Sequence, residues 1–301
     1  MLPFGVNAQK FIFTPQWTAQ SQFAGYYAAQ KLGYYRDAGL DVTIEHPCNS
    51  SNSIERLKNG RCNIISIEAI QALMEIDKGT KLINLLQTSQ HSTLLIIARD
   101  KNVKSFNDLK GKRVGTWKLG FVEIPHMVDK TENLGIEWIK FITPINLFIT
   151  GAIDATLAKS YNEGIQIRMA GRVDCNTINL RSLGYDNPED GIYVTADFYN
   201  KYPTQCKAFA EASKKGWEWV RNNREKALEI VMEYVNNDNI ATNRHIQKWM
   251  LEEILKAQVD KPGQKPSYKL NKEQLQNLCN TLLKHGYIKK PITYESITRQ
   301  P

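Results

Sequence analysis

The sequence predicts an α/β protein built on largely parallel sheets. Two observations predict it. Short apolar segments of strand length alternate with longer helical segments along the chain, and 301 residues with 42% hydrophobic content suffice to bury a full core. Phe11 to Thr14, Asp41 to Glu45, Ile64 to Ile67 and Lys81 to Thr88 read as strands, with helices around Phe23 to Leu32, Asn52 to Asn59 and Ala69 to Lys78. Gly33 follows the first helix, where a left-handed residue can end it. The chain then leaves this first set along Ser92 to Ala98. A second set comprises Arg113 to Thr116, Glu137 to Phe141, Asp154 to Lys159 and a strand near Cys175 to Leu180, and the chain returns near Gly191 to Thr195. Long helices from Pro203 onward complete the first set and its flank, with a turn at Lys261-Pro262-Gly263-Gln264-Lys265-Pro266.

Charge and composition remove several classes of function. The net charge of +8 invites a nucleic-acid partner, yet residues 201–301 hold 18 Lys+Arg against 11 Asp+Glu, an excess of 7. Those charges interleave along helical stretches such as Trp217 to Tyr234 and Arg244 to Ala257, which is the pattern of a solvated helix face. With no basic run and no RNA-binding aromatic signature, no nucleic-acid partner is expected. No apolar run reaches the ~18 to 20 residues that a membrane-spanning helix needs. The cysteines Cys48, Cys62, Cys175, Cys206 and Cys279 are widely spaced and form no C-x-x-C pair, although one or two bridges stay open in an oxidising compartment. The histidines His46, His91, His126, His245 and His285 show no metal-ligand spacing, and His91, near a crossing strand, is the one of interest. Neither a G-x-S-x-G elbow nor a phosphate loop is present. No metal and no cofactor are therefore expected.

The most informative stretch is QWTAQSQFAGYYAAQKLGYYRDAGLDV, from Gln16 to Val42, which joins an aromatic-rich loop to a helix and a following strand. It resembles the opening of type II periplasmic solute-binding proteins, in the branch of thiamine-pyrimidine-precursor binders and sulfonate or taurine binders. Later segments are similar in order: Leu57-Lys58-Asn59-Gly60 before Arg61-Cys62-Asn63-Ile64, then Asp108-Leu109-Lys110-Gly111-Lys112-Arg113-Val114-Gly115, Gly151-Ala152-Ile153-Asp154-Ala155 and Tyr193-Val194-Thr195-Ala196-Asp197-Phe198. The resemblance implies a two-lobed type II periplasmic-binding-protein fold with a ligand cleft between the lobes. Lobe one is placed at residues 10–97 plus 194–301 and lobe two at 98–193. It further implies an exported, monomeric protein that captures a small heteroaromatic ligand for an ABC transporter permease. A sensory domain fused to a receptor output, or a sulfonate or taurine carrier, are the alternatives. Met1 to Gln9 reads either as the tail of a truncated secretory signal or as an ordinary leader.

In α/β lobes, ligands gather at the carboxyl ends of parallel strands. That rule singles out Trp17 after the first strand, Glu68 after the third, Trp117 after Arg113 to Thr116, and Tyr161, Asn162 and Glu163 after Asp154 to Lys159. Tyr26, on the first helix, is added as a weaker candidate. Aromatic faces suit a planar ring, and a carboxylate suits an exocyclic amine or ring N–H. In the pyrimidine-precursor branch an acidic residue with aromatic neighbours at this position recognises the aminopyrimidine, which implies that role for Glu163 and stacking for Trp17. A carboxylate there would repel a sulfonate. Each residue has a purely structural alternative: surface for Trp17, core for Tyr26, packing beneath a loop for Trp117, and a helix-start carboxylate for Glu163 and Glu68.

A thiamine-pyrimidine synthase of this fold uses pyridoxal phosphate, a lysine, a histidine four residues on, and a C-C-C-F-C loop. The corresponding stretch here reads Ser66-Ile67-Glu68-Ala69-Ile70-Gln71-Ala72-Leu73, with neither lysine nor histidine, and Cys175 and Cys206 stand apart. Binding without turnover is the expectation.

Overall fold

A computed structural model describes residues 10–47, 51–117, 121–141, 145–171 and 174–299. The N-terminal segment Met1 to Gln9, Cys48 and the loop after Trp117 lie outside the described residues. The first part of the chain forms β1 (Lys10–Thr14), α1 (Ala24–Lys31), α2 (Tyr34–Asp37), β2 (Asp41–Ile44), α3 (Ser53–Lys58), β3 (Ile64–Ile67), α4 (Ala69–Asp77) and β4 (Leu82–Gln87). The second forms β5 (Leu94–Ala98), β6 (Arg113–Trp117), α5 (Glu123–Glu132), β7 (Glu137–Phe141), α6 (Ile145–Thr150), β8 (Ala155–Lys159), α7 (Glu163–Met169) and β9 (Asn176–Asn179). The chain ends in β10 (Gly191–Thr195), α8 (Ala196–Lys201), α9 (Pro203–Asn222), α10 (Arg224–Asn237), α11 (Arg244–Ala257), α12 (Lys272–Lys284) and α13 (Tyr294–Ile297).

These strands make two five-stranded sheets, ordered β2-β1-β3-β10-β4 and β7-β6-β8-β5-β9. In the first, β1 runs parallel to β2 and β3, while β10 is antiparallel to β3 and β4. In the second, β6 runs parallel to β7 and β8, while β5 is antiparallel to β8 and β9. Each sheet is thus mixed: one antiparallel strand sits among the rest, and the expectation of largely parallel sheets is corrected to that extent.

The division expected at residue 97 falls within a strand of the second sheet. Leu94–Ala98 is five consecutive buried residues lying between β8 and β9, so it is an inner strand of the second sheet. A continuous apolar run announces a strand buried on both faces but not the sheet that buries it. The chain therefore crosses between the sheets at 88–93 and again at 180–190. His91 in the first crossing places Nδ1 2.7 Å from Asp186 Oδ2 in the second, and Nε2 2.8 Å from Asp260 Oδ1 after α11. Within 194–301, α12 does not pack on the first sheet's layer alone. Leu275, Leu278 and Leu282 of α12 share a core with Ile70 and Leu73 of α4 and with Val114 and Met127 of the second sheet's layer.

Packing on the first sheet is closest where α1 meets α9. A Cβ on Gly25 would fall 2.2 Å from the Trp217 ring, and one on Gly216 would fall 2.0 Å from the Gly25 carbonyl oxygen. Backbone meets backbone there, so Trp217, fully buried, can pack against α1, edge-on to Tyr26 at 5.7 Å. Glycine in the middle of a helix normally costs roughly 1 kcal/mol relative to alanine, and here the close approach requires it. Gly216→Ala should therefore lose about 1–3 kcal/mol or more to overpacking. Thermal or chemical denaturation checks the sign: a melting temperature at or above wild type would mean that the two helices slide apart freely.

Candidate functional site

The carboxyl ends of β1, β6 and β8 converge on one pocket between the sheets. Gln16, Trp17, Gln20 and Gln22 come from the loop after β1. Trp117 closes β6, Phe121 follows it, and Lys159, Tyr161, Asn162 and Glu163 lie at the turn from β8 into α7. Phe121 stands edge-on to two indoles, with ring centroids 6.2 Å from Trp17 and 5.9 Å from Trp117. Aromatic surface from both sides of the cleft thus meets over the pocket. The cavity it leaves is about 20 Å³, room for about one water molecule.

Trp17 is held through its backbone. Its carbonyl oxygen lies 2.6 Å from His46 Nδ1, and His46 Nε2 lies 2.7 Å from the Tyr27 hydroxyl. A carbonyl only accepts, so Nδ1 donates to it and Nε2 is left to accept from the phenol. Burial holds His46 below its ordinary pKa, in keeping with that neutral ring. Tyr27 is in turn fixed by stacking on Tyr234 at 3.9 Å. The Trp17 side chain itself is 37% exposed at the cleft.

Glu163 opens α7 and folds back on its own strand. One carboxylate oxygen accepts the Lys159 backbone N–H at 3.0 Å, and the other accepts the Trp117 indole N–H and the Asn162 side-chain amide, each at 3.2 Å. Pocket lining and local anchoring coincide in this residue. Burial pushes its carboxyl above the ordinary range, and likewise raises the Tyr161 phenol, which stays un-ionised.

The floor is charged. Lys159 Nζ sits 2.6 Å from Glu68 Oε1 and 2.7 Å from Glu189 Oε1, with all three side chains less than 10% exposed. Burial opposes the ammonium, but the two carboxylates outweigh it and hold the lysine charged. Glu189 also accepts from the backbone N–H of Thr93 at 3.0 Å and its hydroxyl at 2.5 Å, joining the two crossings. Its neighbour Asp190 accepts from the side-chain amides of Gln16 at 2.5 Å and Gln22 at 2.8 Å and from the Ser89 hydroxyl at 3.2 Å. Burial, then the Glu189 charge, push Asp190 up to about 7.

Of the residues singled out in the sequence, Trp17, Trp117, Tyr161, Asn162 and Glu163 line this pocket. Glu68 lies one shell beneath it, on Lys159. Tyr26 does not line it: its ring packs 4.9 Å from Phe13 and 5.7 Å from Trp217, and its hydroxyl reaches Thr88 at 3.4 Å. The sequence reading passed over Gln16, Gln20, Gln22, Phe121, Lys159, Glu189 and Asp190. One signal for Lys159 was available: a lysine ending an otherwise apolar buried strand requires a carboxylate partner. Among the described residues no group of three or more His, Cys, Asp or Glu side chains is arranged to hold a metal ion. Likewise, no described helix is long and apolar enough to cross a membrane.

Comparison with known proteins agrees with the fold. Residues 20–227 match the family described as NMT1/THI5 like. Over 224 residues, 69% of this chain, the sequence is 24% identical to the 4-amino-5-hydroxymethyl-2-methylpyrimidine phosphate synthase of Schizosaccharomyces pombe; the match spans 64% of that protein's length. It is 20% identical to the formylaminopyrimidine-binding protein of Halalkalibacterium halodurans, covering 89% of this chain and 83% of the relative. Among solved structures, the putative sulfonate ABC transporter periplasmic sulfonate-binding protein of Methylobacillus flagellatus superposes with a TM-score of 0.70 at 11% identity, over 98% of this chain and 92% of its own. This chain shares the two-lobed fold of periplasmic binding proteins with the solved structures.

Asp190 makes the site's stability depend on pH. Its folded pKa, about 7, lies above the ordinary 3.8, so the folded state holds a proton that the unfolded chain releases. The resulting stability is full below about pH 4 and is lost as pH rises through about 7. Asp190→Asn keeps the shape and can still accept from Gln16 and Gln22, and asparagine tolerates the φ of 31° found here. The melting temperature of the wild type should fall by a few degrees between pH 5 and pH 8 from this group, and that of the variant should fall less. Parallel pH profiles would show that Asp190 ionises normally.

Proposed function

The chain belongs to the NMT1/THI5-like family, and on that premise we propose that it is a solute-binding protein for a thiamine-related aminopyrimidine. It would capture this solute by closing its two lobes, outside the cytoplasmic membrane, and present it to an ABC transporter permease. One observation carries the reading: a single pocket in which aromatic faces from both sides of the cleft, Trp17 against Phe121 and Trp117, stand over hydrogen-bonding groups at Asn162 and Glu163. A planar ring held there gains ~0.5–1.5 kcal/mol per aromatic contact beyond its buried area. Because it touches both lobes, it stabilises the closed arrangement over the open one.

Admission of a ring requires the lobes to part, since the pocket has room for about one water. The crossings at 88–93 and 180–190 are the natural hinge and the boundary between the lobes. Binding rather than turnover is supported by Lys159. An amine tied to two carboxylates and held protonated is a poor nucleophile toward a carbonyl. A sulfonate would meet the carboxyl groups of Glu163, Glu189 and Asp190 without an arginine among the described lining residues.

Titration calorimetry of ligand-stripped protein tests this. Saturable binding is expected for 4-amino-5-hydroxymethyl-2-methylpyrimidine or a formylaminopyrimidine, and none for taurine or an alkanesulfonate. Trp17→Ala should weaken the pyrimidine about tenfold, which corresponds to roughly 1.4 kcal/mol. In Glu163→Gln an amide N–H must face the Trp117 or Lys159 N–H donors, so affinity should fall by at least as much while the fold survives. Binding of the sulfonate alone would overturn the ligand assignment, and an unchanged affinity in Glu163→Gln would remove that residue from recognition.

A further inference from the structure

The charge balance of the pocket specifies more than a ring. Around its floor stand four carboxyl groups, Glu68, Glu163, Glu189 and Asp190, all buried, and among the described lining residues Lys159 is the one cation. Lys159 is committed to Glu68 and Glu189, which leaves the acids in excess. Burial raises the carboxyls of Glu68, Glu163 and Asp190 above their ordinary range, and the Glu189 charge adds to it for Glu68 and Asp190.

A second observation is independent of these acids. Gln16 lines the pocket and is 9% exposed. Its amide nitrogen donates to Asp190 Oδ1 at 2.5 Å, and among the described residues its amide oxygen has no hydrogen-bond partner. With Asp190 ionised, as it is above about pH 7, its oxygen accepts from Gln22 and requires a donor of Gln16 as well, which leaves Gln16 Oε1 as the free acceptor. A buried acceptor without a donor is costly, and the described residues of the pocket supply no N–H or O–H to it. The pocket's aromatic faces also favour positive charge: Lys159 Nζ already lies 5.1 Å from the Phe121 ring centroid.

From these together we infer that the pocket takes its ligand as a planar cation with an N–H-bearing edge, an amidinium-like group, with Gln16 Oε1 accepting from that edge. In terms of the function proposed above, the aminopyrimidine is bound in its ring-protonated form. This inference rests on that reading for the identity of the ring but not for its charge.

Three probes of one shape separate the charges: benzamidinium, benzamide and benzoate, titrated calorimetrically at pH 7 beside the aminopyrimidine. Benzamidinium should bind at least tenfold more tightly than benzamide, and benzoate should not bind. Gln16→Met, which keeps the length but removes the acceptor, should shrink the benzamidinium preference at least threefold. Should that variant fail to fold, the wild-type series decides alone. Equal affinities for benzamidinium and benzamide would overturn the inference, and if the aminopyrimidine still binds, the proposed function stands without it. Binding of benzamidinium but not the aminopyrimidine would keep the charge assignment and overturn the ring. Failure of every probe would remove both.

Discussion

The ammonium of Lys159 is the point on which the two halves of the molecule depend. It extends from the end of an inner strand of the second sheet, reaches Glu68 at the end of the first sheet's third strand, and reaches Glu189 in the returning crossing. Glu189 carries the connection on to Thr93 in the outgoing crossing. A lysine buried to this depth is tolerable only with such partners. Removing one member of a buried pair leaves an uncompensated charge, at a cost of about 3–5 kcal/mol. The contacts made around it are consequently constrained: the turn into α7, the seat of Glu163 on the Lys159 backbone, and the position of Trp117 on Glu163.

Around that floor the polar groups form one connected system. Asp190 ties Gln16 and Gln22 of the first lobe to Ser89 of the outgoing crossing, and the neighbouring Glu189 ties the crossings to the second lobe. Above it, the aromatic groups are set by different means. His46 fixes Trp17 through a backbone carbonyl and leaves the indole face unencumbered, whereas Trp117 is pinned by its own N–H. Trp17 therefore retains its freedom at the cleft mouth and Trp117 does not, consistent with exposures of 37% and 5%.

Much of the fold was legible in the sequence because its signals are local. The strands from Phe11, Asp41, Ile64, Arg113, Glu137 and Gly191 lie within a residue or two of where apolar runs and flanking glycines place them. What was not legible is what depends on partners far along the chain. Nothing in Leu94–Ala98 states that it pairs with strands sixty and eighty residues later, and nothing in Leu275, Leu278 or Leu282 states that α12 packs on the second lobe's core. The site divides in the same way. Residues at strand ends, such as Trp17, Trp117 and Glu163, follow from a rule about where α/β sheets bind. Tyr26 lies away from the pocket because a tyrosine on an apolar helix can turn either way, and here Phe13 and Trp217 claim its ring. Glu189 and Asp190 were invisible, since a crossing segment has no periodicity to read.

The end of the chain bears on how the lobes can move. Thr298, just beyond α13, bridges to Asn84 on the first sheet's edge strand, while α12, a few residues earlier, is embedded against both α4 and the second lobe's core. Beside the two crossings, this terminal segment therefore also ties one half to the other. A body joined at two neighbouring points can swing and also twist, whereas a third attachment set to one side of them resists the twist. For the closure proposed above, this leaves essentially one coordinate along which the lobes would separate, so that Trp17 and Phe121 would return to the same register, as the leaves of a book meet along the same edge because the spine is bound at more than one stitch.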